Sequence, residues 1–210
     1  MKSRVPIFLV FLLLTVLAIP AFAAGPYVGV EGGVTFLEKA KVTQEGAPDF
    51  ELKTDTGFGL GLVGGFDFGT YRLEGEFAYR RNNNKEVTGA GLTGPIGGDF
   101  SSMALMVNGY YDFKMVSPML YPYLGVGIGG ARDSLKATDD VGTVVDDDKF
   151  VFAYQLAAGV AYNVSKEVTL DLGYKYFATT KPEFEDTTGG GKAKVEYMSH
   201  NIFLGLRYNF

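Results

Sequence analysis

The chain has 210 residues and a formal net charge of −5, with 29 glycines, 17 phenylalanines and 13 tyrosines but no cysteine, no tryptophan and one histidine. Without cysteine there is no disulfide scaffold, thiol nucleophile, iron–sulfur cluster or cysteine-based zinc site, and one histidine cannot build a two-histidine metal site. The net negative charge and the lack of a lysine or arginine cluster also exclude a basic surface for binding nucleic acid.

The first residues have the three-part pattern of a secretory signal peptide. Lys2 and Arg4 precede an apolar run over residues 5–19, and the small-residue site Ala21-Phe22-Ala23 follows. An uncleaved anchor is the alternative, but this run is shorter than the roughly 20 residues that a spanning helix needs. We therefore expect a signal peptide over residues 1–23 and one mature domain over residues 24–210.

The mature sequence alternates with period two, which is typical of strands with two different faces. The third run is the clearest, because Leu73 and Phe77 occupy one face while Arg72, Glu74 and Glu76 occupy the other. A helix would mix these two sets. Eight such runs predict eight strands, over residues 27–36, 57–68, 71–81, 102–113, 123–129, 152–163, 168–176 and 198–210.

The connections between these runs alternate in length. Short links cover residues 69–70, 114–120 and 164–167, and long links cover residues 39–56, 82–100, 132–149 and 178–194. Short turns at one end and long loops at the other are the rule in outer-membrane barrels, where the short turns are periplasmic. The sequence therefore predicts an all-β fold, an eight-stranded antiparallel up-and-down transmembrane β-barrel, with both termini in the periplasm.

The composition of the two faces separates this barrel from an exported soluble barrel such as a lipocalin. Glycines at positions 57, 59, 61, 125, 127 and 129 share the face that carries the charges. Only a narrow lumen requires small residues beside large polar ones, so we predict that the charged face is inside. The apolar face ends in aromatic residues at both rims, as membrane girdles do. The predicted lumen charge network comprises Glu31, Asp67, Arg72, Glu74, Glu76, Arg80, Asp112, Asp171, Lys175 and Arg207.

Four segments carry a resemblance to a known family: residues 25–33, 152–162, 170–176 and the final Leu-Gly-Leu-Arg-Tyr-Asn-Phe, residues 204–210. In these segments the chain resembles the eight-stranded outer-membrane barrels of the OmpA-like and opacity-type surface-antigen kind. The resemblance implies an outer-membrane location in a Gram-negative bacterium. It also implies that an insertion signal, recognised by the barrel assembly machinery, lies at Leu204, Leu206, Tyr208 and Phe210.

Two glycine motifs match the dinucleotide-binding fingerprint, at positions 59, 61 and 64 and at positions 125, 127 and 130. The fingerprint needs a helix after the glycines, and no helical pattern follows either motif, so we interpret them as strand glycines. Five aspartates in the third long connection could bind calcium, but their spacing fails the EF-hand pattern and favours a solvated acidic loop. These are Asp139, Asp140, Asp146, Asp147 and Asp148.

The single histidine, His200, raises the question of lipid hydrolysis. Barrels that deacylate lipid A use a histidine and a serine two residues along the same strand face. Here Ser199 is adjacent, and Ile202 occupies the matching position. Because a base needs its nucleophile within reach, we interpret His200 as a residue at the outer rim near the headgroups.

These observations predict a non-enzymatic barrel whose role, structural or interactive, depends on four extracellular loops. A small porin or leak channel is the first alternative, and an outer-membrane lipid-modifying hydrolase is the second. The first two hypotheses differ in whether the lumen charges close the bore. The number of large side chains favours a closed bore. We expect no cofactor and no catalytic or metal site. The expected partners are outer-membrane lipid, lipopolysaccharide and the assembly machinery, with an unknown loop ligand and no nucleic acid.

Overall fold

The computed structural model describes residues 25–38, 40–44, 50–89, 92–95, 97–114, 117, 119–138, 143–180, 183–185, 192–195 and 197–210. The predicted signal peptide lies outside these described residues. In the described part of the chain, no helix is long and apolar enough to cross a membrane. The described strands are β1 (Gly25–Leu37), β2 (Ala40–Gln44), β3 (Phe50–Thr54), β4 (Gly57–Asp67), β5 (Tyr71–Gly89), β6 (Leu92–Pro95), β7 (Gly97–Asp112), β8 (Leu120–Thr138), β9 (Thr143–Asn163), β10 (Val168–Thr179), β11 (Glu183–Glu185), β12 (Lys192–Val195) and β13 (Met198–Asn209).

Eight of these strands form one closed antiparallel barrel, in the order β1, β4, β5, β7, β8, β9, β10 and β13. The last strand returns to the first, so that Tyr208 of β13 lies opposite Val28 of β1. Each barrel strand therefore pairs with a neighbour on both sides, which closes the ring. The predicted eight-stranded up-and-down barrel is confirmed.

Alternate residues of each barrel strand point to opposite sides of the wall. On β7, Leu105 is 67% exposed, whereas its neighbours Ala104 and Met106 are each 1% exposed. The large apolar side chains thus face outward around the barrel, where a bilayer would cover them. The outward aromatic residues at the rims contact one another, for example Tyr71 and Tyr111 at 5.3 Å between ring centroids at the short-turn end.

Two glycines show why small residues are required. Gly69 adopts φ +93° in the tight turn between β4 and β5, a conformation that favours glycine, and its amide donates to Asp67 at 2.7 Å. Gly125 faces the lumen, where a Cβ atom would lie 2.4 Å from the ring of Tyr110. A larger residue at position 125 would therefore displace that ring.

The strands extend further than the sequence pattern predicted. Residues 82–89, 97–101, 130–138 and 143–151, which were expected to lie in or next to long loops, continue the barrel strands. On β5 the alternation of apolar and polar residues disappears because both faces are polar: Asn82 and Asn84 point inward, and Arg81, Asn83 and Lys85 point outward. Backbone pairing needs no apolar face, so the ladder continues. Five short strands, β2, β3, β6, β11 and β12, join this extension through β5.

Candidate functional site

The candidate site is the charged interior of the barrel, which has a layer of ion pairs at its short-turn end. Arg72 Nε lies 2.9 Å from Asp112 Oδ2, and Arg207 Nε lies 2.6 Å from Asp171 Oδ2. All four side chains are almost fully buried. Charge-assisted hydrogen bonds of this length are among the stronger polar contacts in proteins, so these pairs reinforce the pairing of β5 with β7 and of β10 with β13 on the lumen side of the wall.

The middle of the lumen is organised around Lys175. Its ammonium group contacts Glu31 and lies 3.0 Å from Glu76 Oε2. Arg80 approaches the other oxygen of Glu76 at 3.5 Å, and Gln155 donates to Glu76 Oε2 at 2.7 Å. Glu76 therefore has two cationic neighbours and an amide donor, although its side chain is fully buried.

Neutral side chains complete the network around Glu74. Tyr27 donates to Glu74 Oε2 at 2.8 Å and Tyr110 donates to Glu74 Oε1 at 3.2 Å, while Asn108 bridges Glu74 and Glu76. The sequence analysis did not identify these neutral partners, nor Gln155. They lie on the same alternating face as the charges, and that position is the one signal that could have found them.

The structure brings nine of the ten predicted network residues into the lumen. Asp67 instead lies at the short-turn rim, where its carboxylate is 2.7 Å from Lys114 and caps the turn at Gly69. Its side chain is 22% exposed. It sits at the end of β4, where the barrel meets water, so the alternating pattern alone could not distinguish it from the residues deeper inside.

The lumen holds little free space among the described residues. Arg72 stacks on Tyr110 at 4.4 Å, and Lys175 lies 4.6 Å from the centre of the Phe203 ring. Two internal cavities, on either side of Glu31, each measure about 20 Å³. A cavity of this size holds about one water molecule. These two parts of the described interior therefore have room for a water molecule but not for a hydrated ion.

Above the charged layers, the lumen is closed by an aromatic cluster. Phe100, Phe177 and Tyr197 are fully buried, and Arg80 stacks on Phe177 at 4.1 Å. Asp133 is buried beside this cluster and accepts a hydrogen bond from Thr179 at 3.0 Å. The outward neighbours of Asp133 on β8 are Arg132 and Ser134, which places this level above the apolar band.

Burial raises the pKa of Asp133 to about 6, and hydrogen bonds to its carboxylate only partly offset this. The unfolded carboxyl titrates near 3.8, so between about pH 4 and pH 6 the folded protein binds more protons. Stability therefore falls as the pH rises through this window. Above pH 6, Asp133→Asn should be more stable than the wild type by on the order of 2–3 kcal/mol. Urea-induced unfolding of the refolded barrel at pH 4 and pH 7.5 measures this difference.

Asp55→Asn is the matched control, because Asp55 is exposed at the outer end of the barrel and pairs with Lys85. Because an exposed ion pair contributes only about 0–1 kcal/mol, we expect Asp55→Asn to change stability much less than Asp133→Asn does at pH 7.5. A profile for Asp133→Asn that follows the wild type at both pH values would contradict the assignment.

His200 lies on the outward face at the long-loop end, with its side chain 38% exposed. Its Nε2 is 2.7 Å from Glu38 Oε1, and its Nδ1 is 2.6 Å from the hydroxyl of Tyr174. In the neutral ring, Nε2–H donates to Glu38 and Nδ1 accepts from Tyr174, so both nitrogens are occupied. The sequence analysis foresaw neither partner, because cross-strand register brings them together. Such a chain ties the end of β1 to β10 and β13.

The predicted insertion-signal residues all lie on the outward face of the last strand. Leu204, Leu206 and Tyr208 are 68%, 46% and 48% exposed, and Phe210, just beyond the strand, is 73% exposed. Of the five aspartates in the third long connection, Asp139 and Asp140 lie outside the described residues. Asp148 points outward on β9 and pairs with Arg132.

Comparison with known proteins gives one family and several relatives. The model of the outer membrane protein beta-barrel domain matches residues 9–210. A putative adhesin of Rickettsia conorii, RC1281, is 32% identical over 120 residues, covering 51% of this chain and 47% of that protein. The outer membrane protein PagN of Salmonella typhimurium is 31% identical over 116 residues, covering 50% and 48%. The chain thus spans about half the length of these two relatives.

Among solved structures, the barrel is similar to the outer membrane protein OprG of Pseudomonas aeruginosa. The two share 18% identity and superpose with a TM-score of 0.59, over 89% of this chain and 96% of that one. At this level of identity the likeness concerns the fold. It agrees with the barrel described above.

Proposed function

The chain belongs to the outer membrane protein beta-barrel domain family, and on that premise we propose that it is a non-enzymatic surface-interaction protein. Its outer-membrane location follows from the family. In our proposal the short turns and both termini face the periplasm, and the long-loop end faces the outside of the cell. The barrel assembly machinery then receives the last strand, and lipopolysaccharide surrounds the outer rim.

The observation that carries this proposal is the extension of the barrel beyond the apolar band. β5, β8 and β9 have 19, 19 and 21 residues, whereas a tilted strand crosses a bilayer with about 9–11 residues. Roughly half of each strand therefore stands outside the membrane. β8 and β9 pair along this part of the barrel, so that it forms an ordered sheet. An ordered sheet outside the membrane suits the display of a binding site.

Two further observations support the proposal against its alternatives. The described lumen is occupied by side chains and leaves cavities of about 20 Å³, which disfavours a pore. His200 has both ring nitrogens engaged with Glu38 and Tyr174, and no serine occupies the position that a lipid deacylase would need. The name of the Rickettsia conorii relative, a putative adhesin, agrees with a role at the cell surface.

Surface display tests the proposal. A non-adherent Gram-negative host carrying this barrel should attach to epithelial monolayers or to immobilised matrix proteins more than the host with empty vector. Replacing residues 82–100 or 132–149 by a short turn should reduce attachment towards the empty-vector level. Each variant is first checked for barrel formation by the different migration of unboiled and boiled samples on a denaturing gel.

The matched control replaces the short turn at residues 164–167 by a glycine-serine turn of equal length. It should leave attachment unchanged, because that turn is at the opposite end of the barrel. Attachment that survives shortening of all four long connections would contradict the proposal. A reproducible unitary conductance in planar bilayers would favour the pore, and lipid A that has lost an acyl chain would favour the hydrolase.

A further inference from the structure

A band of outward-facing charges lies just above the apolar belt on one side of the barrel. We define this outer charged patch as Arg81, Lys85, Asp99, Arg132, Lys136, Asp148 and Asp55. Its four cations are all on β5 and β8, two strands that are separated only by β7. Across the barrel, at the outer rim of β1 and β13, the ionisable outward groups among the described residues are Glu38 and His200. Among the residues whose side chains the structure describes, the outward cations at this level therefore lie on one side of the rim.

The strand register sets the distance between the two arginines. Arg81 lies opposite Ser101, which lies opposite Ser134, two residues beyond Arg132 on β8. Two interstrand steps of about 4.8 Å and an offset of two residues along the strand put the two Cα atoms about 12 Å apart. Both side chains point to the same outer surface, with exposures of 46% and 65%. The pair can therefore contact two anionic groups at the two ends of one sugar headgroup.

Among the described residues, one ion pair holds each arginine in place. Arg81 Nη2 contacts Asp99 at 3.1 Å, and Arg132 Nη2 contacts Asp148. Each of these contacts uses one nitrogen of a guanidinium group that has five N–H donors. Exposed ion pairs of this kind contribute only about 0–1 kcal/mol, so a phosphate can share or displace the carboxylate at low cost. Phosphate is the anion that the guanidinium fork matches best.

Apolar surface lies on both sides of Arg132, in the cross-strand row below Arg81. Met103 lies between Tyr79 and Arg132 in one cross-strand row, and Phe150, 83% exposed, lies on the other side of Arg132. The Phe150 ring leans over Gly130, towards the apolar band. A ligand that contacts the arginines would therefore place its apolar part on this surface, as an amphiphile does.

We propose that the outer charged patch binds the phosphorylated sugar headgroup of an outer-leaflet glycolipid, the lipid A part of lipopolysaccharide. Arg81 and Arg132 each contact one phosphate, and the acyl chains lie along β7, β8 and β9. The inference rests on the proposed orientation, with the long-loop end outside the cell. It goes beyond surface attachment, because the ligand belongs to the membrane in which the barrel is embedded.

Native mass spectrometry of the refolded barrel in detergent, titrated with purified diphosphorylated lipid A, tests the site. We expect one retained lipid A per barrel, and much weaker retention of lipid A from which both phosphates have been removed. Arg132→Gln should weaken the apparent affinity about tenfold, as the loss of one charge-assisted contact does. The double variant R81Q/R132Q should weaken it about a hundredfold.

Lys166→Gln is the matched control, because it removes one exposed positive charge from the short turn at the opposite rim. It should leave lipid A retention unchanged. R81K/R132K keeps both positive charges but lacks the paired N–H donors of the guanidinium groups, and it should bind lipid A with intermediate affinity. This variant provides a second test if the glutamine variants fold poorly. The inference is overturned if R81Q/R132Q retains lipid A as the wild type does, if dephosphorylated lipid A binds equally, or if millimolar inorganic phosphate displaces the lipid. None of these outcomes bears on attachment to cells, which is measured separately.

Discussion

Replacing Lys175 by methionine is expected to destabilise the barrel by about 3–5 kcal/mol. The substitution preserves most of the side-chain volume but leaves Glu31 and Glu76 buried without the ammonium group between them. Uncompensated buried charge of this kind is costly because the interior cannot solvate it. Far-UV circular dichroism during urea-induced unfolding in lipid vesicles measures the free energy of unfolding.

Two controls separate lost charge compensation from general disruption at Lys175. Lys166→Met removes an exposed lysine from a short turn and should change stability by less than about 0.5 kcal/mol. The triple variant K175M/E31Q/E76Q removes Lys175 together with both carboxylates that it contacts and should recover part of the lost stability, although Arg80 then loses its ion pair with Glu76. If the triple variant is as unstable as the single one, Lys175 acts through packing and the electrostatic explanation is wrong.

Arginine in place of Leu105 should destabilise the folded barrel by about 2–4 kcal/mol in lipid vesicles. Leu105 points outward from the middle of β7 and is 67% exposed in the absence of lipid. In a soluble barrel an outward arginine would be well solvated, so a large penalty measures contact with hydrocarbon. Urea titration of the refolded variant in vesicles, followed by unboiled gel migration, gives the value.

Ser101→Arg is the control. Ser101 lies on the same outward face of β7 as Leu105, two residues before Met103. It lies above the apolar band, where the cost of a charged residue falls to about 0–1 kcal/mol. Equal penalties at positions 101 and 105 would mean that depth in the membrane is irrelevant. That outcome would contradict the transmembrane orientation of β7.

The parts of the fold that meet lipid were predictable from the sequence, because hydrocarbon forces every second residue to be apolar. The extension was not predictable in the same way. On β5, Arg81 to Lys85 contains no apolar residue, and the hydrogen-bonded ladder that orders it leaves no mark on the sequence of one strand. The length of a strand outside the membrane depends on backbone pairing. Predicting it therefore requires the position of the partner strand as well as the sequence of the strand itself.

In the candidate site, too, the alternating pattern predicts which way a residue points but not which residue it contacts. Alternation identifies Glu76 and Lys175 as inward residues, but their contact joins β5 to β10 across the lumen and depends on barrel size and register. Asp67 shares the pattern and lies at the rim. Asp133 was placed in a loop by the sequence analysis, although it is buried among aromatic side chains. Pattern alone gives the face of a residue but not its depth or its partner.

The pairing of Val28 with Tyr208 has a consequence for how the chain reaches its final state. The first and last barrel strands are neighbours, so the ring cannot close until the whole sequence is available. Contacts between such distant segments carry a high cost in chain entropy and slow folding. Assembly of this protein is therefore a post-translational event, in which a delay between synthesis and closure leaves strand edges exposed to aggregation and proteolysis.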